Sequence, residues 1–307
     1  MHVVATLPLY PPASRVGAWL STHECLAHLA RRGHRVDVVT HMDNKRCVHE
    51  GVTVHPVGSS LGSHDVSLVH LGDMSSAVKR VMAMAANRRR PVVQMIHGPA
   101  TSQELDRRPT ALAVFSSEAV RASSGWHGNS LVVSLPADLS KHRTTPGDRF
   151  TLVNLSELKG GRLFWQLAAC MPDRRFLGVK GGWGRQVKGD LPNVTLAPMT
   201  DDMRSVWSDT RVLLMPSERE TWGRVGLEAA ASGIPTIAHP CDGILESLGD
   251  SAIYVDRDNA AGWVKQINRL SIPAYWRTAS EKALARAEAF DPLPGLDAFA
   301  DAMEALT

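Results

Sequence analysis

Residues 215–235 read MPSERETWGRVGLEAAASGIP. Upstream, residues 211–215 (RVLLM) are apolar and β-prone, and downstream come residues 236–239 (TIAH). The order is strand, polar loop, helix closed by Gly233 and Pro235, then strand, which is the βαβ grammar of a parallel sheet. Glu220 and Glu228 stand eight positions apart on either side of Gly223. Glu220 falls at the start of the helix, where free backbone N–H groups favour an anion, and Glu228 falls one or two turns into it. A ligand with a diphosphate at its centre and hydroxyls at both ends matches that spacing.

The same grammar extends both ways along the 307 residues. In the first half, strands are expected at 1–7, 35–40, 52–57, 66–71, 92–96, 112–115 and 131–135, with helices at 16–32 and 75–86. The polar stretch KHRTTPGDR at 141–149 reads as a linker. Strands then recur at 151–155, 175–179, 194–197, 211–215 and 236–239. Helices are expected at 162–170, around 203–207, and at 226–232, 260–270, 273–290 and 296–306. The expected fold is α/β, two doubly wound Rossmann-like domains, the first at 1–145 and the second at 146–290, facing across a cleft.

Composition narrows the class. With 44% apolar residues the chain can build real cores. Its apolar runs fall short of a membrane span, and residues 1–8 lack the charged start and cleavage site of a signal peptide. Cys25, Cys47, Cys170 and Cys241 show no metal-ligand spacing, which predicts buried thiols in a reducing cytoplasm. Residues 1–150 carry 17 Lys/Arg against 11 Asp/Glu, a charge of +6, whereas the remainder carries 17 against 20, a charge of −3. Twelve of the 13 histidines precede residue 151. The first domain is thus either a surface that meets something anionic or a chance surface bias.

Individual residues carry the chemistry. Glu228 sits in GLEAAASG, a small-residue helix that reads as buried, and a buried carboxylate needs hydroxyl or cationic partners. Ribose hydroxyls would supply them; a solvated helix residue is the plain alternative. Lys159, in SELKG, lies on a strand-to-helix loop where an ammonium can approach a phosphate. Gly181, Gly182 and Gly184 (KGGWG) form a tight turn that would admit a base or sugar, although the spacing is not a dinucleotide fingerprint. His97 ends a strand, and Gly17 opens the first helix, where it is either a packing glycine or a point of close ligand approach. The basic cluster NRRR at 87–90 caps a helix or touches an anion. Asp256-Arg-Asp258 reads as a polar turn rather than a metal motif. Zinc spacing, a P-loop and a nucleophile elbow are all missing from the sequence.

Taken together these motifs resemble the retaining glycosyltransferases of the GT-B fold, in the family 4 grouping. Pro216-Ser217, Glu220, Gly223, Glu228-Ala229, Gly233 and Pro235 follow that family's donor-site pattern. Leu9 to Pro12, Gly17, residues 29–36 (LARRGHRV) and Lys159-Gly160 follow it more loosely, so the likeness covers essentially the whole chain. The resemblance implies a nucleotide-diphosphate sugar donor (UDP- or GDP-linked), with no permanently bound cofactor and no metal required. It implies that Glu220 meets the donor sugar and that backbone around Thr221, Trp222, Gly223, Arg224 and Val225 holds the diphosphate, which Lys159 neutralises. Glu228 would bind the ribose, Gly182 and Gly17 would line the donor site, and His97 would stand near the reacting carbon on the acceptor side. Glu220, Lys159 and His97 are the catalytic candidates, and the last helix (291–307) would pack back on the first domain. Where the family carries an arginine before the lysine this chain has Asn154, and Arg224 or Arg185 is the candidate substitute. The acceptor stays open among DNA, protein, lipid and small molecule. A nucleotide-sugar epimerase of the same fold and a nucleic-acid-binding module are the alternative readings.

Overall fold

The computed structural model describes residues 1–11, 16–42, 45–56, 58–59, 61–71, 73, 75–134, 138–182, 184–200 and 202–307. The chain divides into two compact units, Met1–Ala137 with Pro292–Thr307, and Asp138–Asp291.

The first unit contains β1 (His2–Leu7), α1 (Gly17–Arg31), β2 (Arg35–Thr40), β3 (Cys47–His49), β4 (Val52–His55), β5 (Val66–His70) and α2 (Ser76–Asn87). It continues with β6 (Val92–Ile96), α3 (Ser102–Asp106), β7 (Leu112–Phe115), α4 (Glu118–Ser124) and β8 (Ser130–Val132). The strands lie in the order β3-β4-β2-β1-β5-β6-β7-β8. All pairs are parallel except the β3–β4 hairpin at the edge. Val, Leu and Ile dominate the central strands, which are buried along nearly their whole length, as a parallel sheet covered on both faces requires.

The second unit holds β9 (Arg149–Val153), α5 (Gly161–Cys170), β10 (Phe176–Val179), β11 (Val194–Ala197), α6 (Met203–Asp209), β12 (Thr210–Met215) and α7 (Arg224–Ala230). It ends with β13 (Thr236–Ala238), α8 (Asp242–Leu248), β14 (Ile253–Tyr254), α9 (Ala260–Leu270) and α10 (Pro273–Glu288). Its sheet is parallel in the order β11-β10-β9-β12-β13-β14. Both units are therefore Rossmann-like, and strand order reverses beside β1 in the first and β9 in the second. In such sheets ligands gather at the carboxyl ends of the strands flanking the reversal.

The final helix, α11 (Leu293–Glu304), belongs to the first unit. Leu296, Phe299, Ala300 and Met303 enter its core beside Leu26 and Leu29 of α1. Polar contacts flank that seam: His28 Nε2 lies 2.8 Å from Asp297 Oδ1, Arg32 Nη1 2.7 Å from Asp301 Oδ1, and His34 Nε2 2.7 Å from Glu304 Oε1.

Some expectations change. The stretch 141–149 is no free linker, because the Thr144 amide donates to Ser232 Oγ (3.0 Å), Ser232 Oγ donates to His142 O (2.9 Å), and Gly147 N donates to Thr210 O (3.0 Å). The stretch lies within the second unit, and these bonds are internal to it. The edge strand β3 and the short helices α3, α4 and α8 carry too few periodic apolar positions to be seen in the sequence. The strand expected at 131–135 begins earlier, at Ser130, and Leu135 lies outside the described residues, as does Val57 of the strand expected at 52–57. Among the cysteines only Cys25 is buried, while Cys47 and Cys170 are exposed and Cys241 is intermediate. Among the described residues no helix is long and apolar enough to cross a membrane.

Candidate functional site

The loops after β9 and β12, neighbouring strands at the reversal, meet at Lys159 and Glu220. The β9 loop is shaped first by Asn154, which takes a left-handed φ of 70°. Its Oδ1 accepts from Ser156 N (3.1 Å) and Gln186 Nε2 (2.9 Å), while Gln186 Oε1 accepts from Leu155 N and Gly181 N, each at 2.9 Å. Asn154 thus ties the β9 loop to Gly181 through Gln186. An arginine could not accept these bonds. A single turn at Glu157–Lys159 follows, ended by Gly160 at φ 89°. A Cβ on Gly160 would run into the ring of Pro216. This close approach, possible only for glycine, brings the two loops together.

Opposite it lies the stretch from Pro216 to Gly223. Lys159 Nζ pairs with Glu220 Oε1, which also accepts from Ser217 Oγ at 2.9 Å. Arg257 braces the arrangement from behind, with Nη1 3.4 Å from Leu158 O and 3.4 Å from Glu218 Oε2. On the other flank a Cβ on Gly243, in the first turn of α8, would strike the backbone of Glu220 and Thr221. Trp222 is buried beside Phe290, with ring centroids 6.3 Å apart, so its side chain serves the core of the second unit. Gly223 adopts φ 82° and caps α7. Thr221, Arg224 and Val225 are half-buried around it.

One turn into α7, Glu228 is 5% exposed. Arg224 Nε donates to its Oε1 at 2.6 Å, and His142 Nε2 stands 3.7 Å from the same oxygen. Burial is the main cause holding the His142 imidazole below its ordinary pKa, so at neutral pH it approaches Glu228 uncharged. Arg224 Nη1 is buried and has no hydrogen-bond partner, an exception of the kind that calls for a reason. Arg185, the other candidate for the missing arginine, is exposed, and so is Gly182.

The first unit forms a separate constellation. Thr22 Oγ1 lies 2.9 Å from His70 Nε2 and 3.0 Å from His97 Nε2, and the two rings stack at 5.1 Å. Burial lowers the His97 pKa to about 4, and its buried Nδ1 has no hydrogen-bond partner. Gly17 opens α1, with open space where a Cβ would stand. Elsewhere several histidines of this unit face carboxylates: Asp37, only 2% exposed, takes His2 Nε2 at 2.6 Å, His55 Nε2 at 2.7 Å and Arg35 Nε at 2.9 Å. Arg88 to Arg90 are exposed, with Arg90 3.8 Å from Asp65. In the second unit Asp256 forms a local turn, its Oδ1 accepting from Asp258 N at 2.8 Å.

The sequence brought forward Lys159, Glu220, Arg224 and Glu228, and the fold gathers them on one unit. Ser217 stood in the quoted motif without a role. His142 and Gln186 were missed, because nothing in their spacing pointed across 86 and 32 positions to Glu228 and Asn154.

Residues 177–271 match the model of the family described as Glycosyl transferases group 1. That segment contains Glu220, Arg224 and Glu228. A D-inositol 3-phosphate glycosyltransferase of Streptomyces bingchenggensis is 35% identical over 97 residues, 30% of this chain and 21% of the relative. The Salinispora arenicola protein of the same name is 33% identical over 78 residues, 24% of this chain and 17% of its own length. The chain thus spans only about a fifth of the length of these curated relatives. Among solved structures, Anabaena HepE in complex with UDP-glucose aligns with a TM-score of 0.77 at 17% identity, covering 99% of this chain and 100% of that one. Sucrose-phosphate synthase from Thermosynechococcus elongatus aligns at 0.75 and 16% identity, covering 100% and 98%. The fold is that of the GT-B glycosyltransferases, two parallel-sheet Rossmann-like domains.

Proposed function

We propose that this protein is a retaining glycosyltransferase of family 4 type that moves a sugar from a nucleotide-diphosphate donor to an acceptor held by its first unit. The observation that carries the reading is the polar cluster on the second unit. Lys159, Glu220 and Ser217 join on the loops after two adjacent strands, Arg224 and Glu228 pair in the helix that follows the second of them, and a buried Arg224 nitrogen lacks a partner. Glu220 then binds hydroxyls of the donor sugar and Glu228 the ribose. Lys159, Arg224 and the backbone from Thr221 to Val225 hold the diphosphate, and Gly182 leaves room beside it. Arg224 thereby takes the place of the arginine that Asn154 cannot supply. UDP-linked sugars are the first donors to test, since HepE was solved with UDP-glucose.

Retention follows from same-face attack. The leaving diphosphate helps to deprotonate the acceptor through an oxocarbenium-like state, while the protein orients the reactants and stabilises charge. His97 serves the acceptor side, and Gly17 serves the donor. The donor set requires no metal in this scheme.

Thermal-shift screening of UDP- and GDP-sugars identifies the donor. With that donor, Lys159→Ala should lose about 100- to 1,000-fold in kcat, the magnitude of one lost charge-stabilising group. Glu220→Ala and Glu228→Ala should lose donor use. Wild-type turnover by both glutamate variants would refute the assignment. NMR of the product anomer tests retention, and product analysis without acceptor separates transfer from epimerisation.

A further inference from the structure

The geometry points to a divalent metal site of the zinc class on the flank of the first unit, formed by His23, His49 and Glu50. Ligand atoms of the three side chains lie within 4.8 Å of one another. His23 comes from the middle of α1 and is 3% exposed. Its Nδ1 lies 2.7 Å from Tyr10 Oη, while its buried Nε2 has no hydrogen-bond partner. That nitrogen faces Glu50 Oε2 at 3.6 Å, and the His23 ring stacks on His49 with centroids 4.6 Å apart.

An ion pair does not account for this arrangement. At 3.6 Å the approach of His23 Nε2 to Glu50 Oε2 is longer than a hydrogen bond, and the buried nitrogen is left without a partner. In the tautomer whose Nδ1–H donates to Tyr10 Oη, the neutral imidazole presents the bare Nε2 lone pair that a metal ligand needs, and a bound metal selects that tautomer. Bonds of about 2.1 Å in a tetrahedral zinc site set neighbouring ligand atoms about 3.4 Å apart. The His23–Glu50 separation already approaches that value, and His49, on an edge strand, needs only to turn out of the stack. Two imidazoles and one carboxylate suit zinc or cobalt better than magnesium or calcium, and three protein ligands leave one position open.

The third ligand is placed by a tight turn. Glu50 (φ 46°) and Gly51 (φ 82°) are both left-handed and join the antiparallel β3 and β4 in a two-residue hairpin of the type that favours Asn-Gly. Gly51 packs against Ala30 of α1, which aims Glu50 back at the helix. Arg31 Nη1 stands 3.8 Å from the same carboxylate oxygen on a half-exposed side chain that is free to swing away. A bound ion would clip α1 to the edge hairpin of the sheet.

The test uses the full chain, stripped with a chelator and titrated with zinc or cobalt in the absence of any sugar donor, so its outcome is separate from that of the transfer reading. One equivalent should bind, with a rise in thermal midpoint and, for cobalt, the visible absorption of a tetrahedral site. Glu50→Gln and His49→Gln, at the solvent-facing rim where folding is not at risk, should each weaken binding at least tenfold. Tyr10→Phe should weaken it by roughly ten- to a hundredfold, by releasing the His23 ring. His127→Gln, an exposed histidine outside the cluster, should leave it unchanged. Absence of saturable one-equivalent binding, or unaltered affinity in both Glu50→Gln and His49→Gln, would overturn the site.

Discussion

Arg224 holds Glu228 through Nε, and its own Nη1 has no hydrogen-bond partner. Both side chains are mostly buried, so the pair is better understood through what its breakage leaves behind. Arg224→Ala should destabilise the second unit by about 3 kcal/mol, because Glu228 would remain buried with only the distant, neutral His142 beside it. The double variant Arg224→Met/Glu228→Met should recover most of that loss while still failing to use donor. Urea unfolding of the three proteins checks the order. At this scale the sequence is informative where a residue contradicts its surroundings. Glu228 in an alanine-rich helix and Lys159 before a glycine both stand out. His142 does not, because it lies in a stretch whose composition is ordinary for a surface segment, and only the three-dimensional path of the chain brings it to Glu228.

At the level of the element, α11 and α1 show which contacts matter. The seam between them is lined by His28–Asp297, Arg32–Asp301 and His34–Glu304, yet Asp297 and Asp301 are more than half exposed. Each such pair contributes at most about 1 kcal/mol. Phe299 is fully buried in the core between them. Phe299→Ala should therefore cost about 3–5 kcal/mol in the first unit, whereas Asp301→Ala should cost less than about 1 kcal/mol. Thermal unfolding of the two variants distinguishes a seam held by packing from one held by charge. Most helices were legible because their apolar positions repeat with the proper period, and most strands because short apolar runs stand between turn residues. The β3 strand was not, since its three residues are mostly exposed and its pairing depends on the Glu50-Gly51 turn.

For the molecule as a whole, the crowding of histidines into the first half of the chain has a structural reason. They lie largely inside the first unit or against its carboxylates. His23 and His97 have pKa values lowered to about 4, and burial pushes His70 well below its ordinary value. All three stay neutral in the native state and gain protons on unfolding below pH 6.5. Their stabilising contribution is present above pH 6.5 and is lost as pH falls from there towards 4. His23 and His97 should each cost about 1.4 kcal/mol by pH 5.5, and His70 acts in the same direction. Hydrogen exchange at pH 7.5 and 5.5, corrected for intrinsic rates, should show protection falling in the first unit more than in the second. Equal protection at the two values would contradict this.

The discontinuity of the first unit bears on how the protein is made. Leu296, Phe299, Ala300 and Met303 complete its core, yet all of residues 138–291 are synthesised between Ala137 and Pro292. At roughly 5–20 residues per second, ribosomes need on the order of ten to thirty seconds to cross that interval. Throughout it, the faces of α1 and the sheet that await α11 stay open to water and to chaperones. The second unit, contiguous in the chain, can finish folding first. The earlier-made half of this protein is thus the later one to mature.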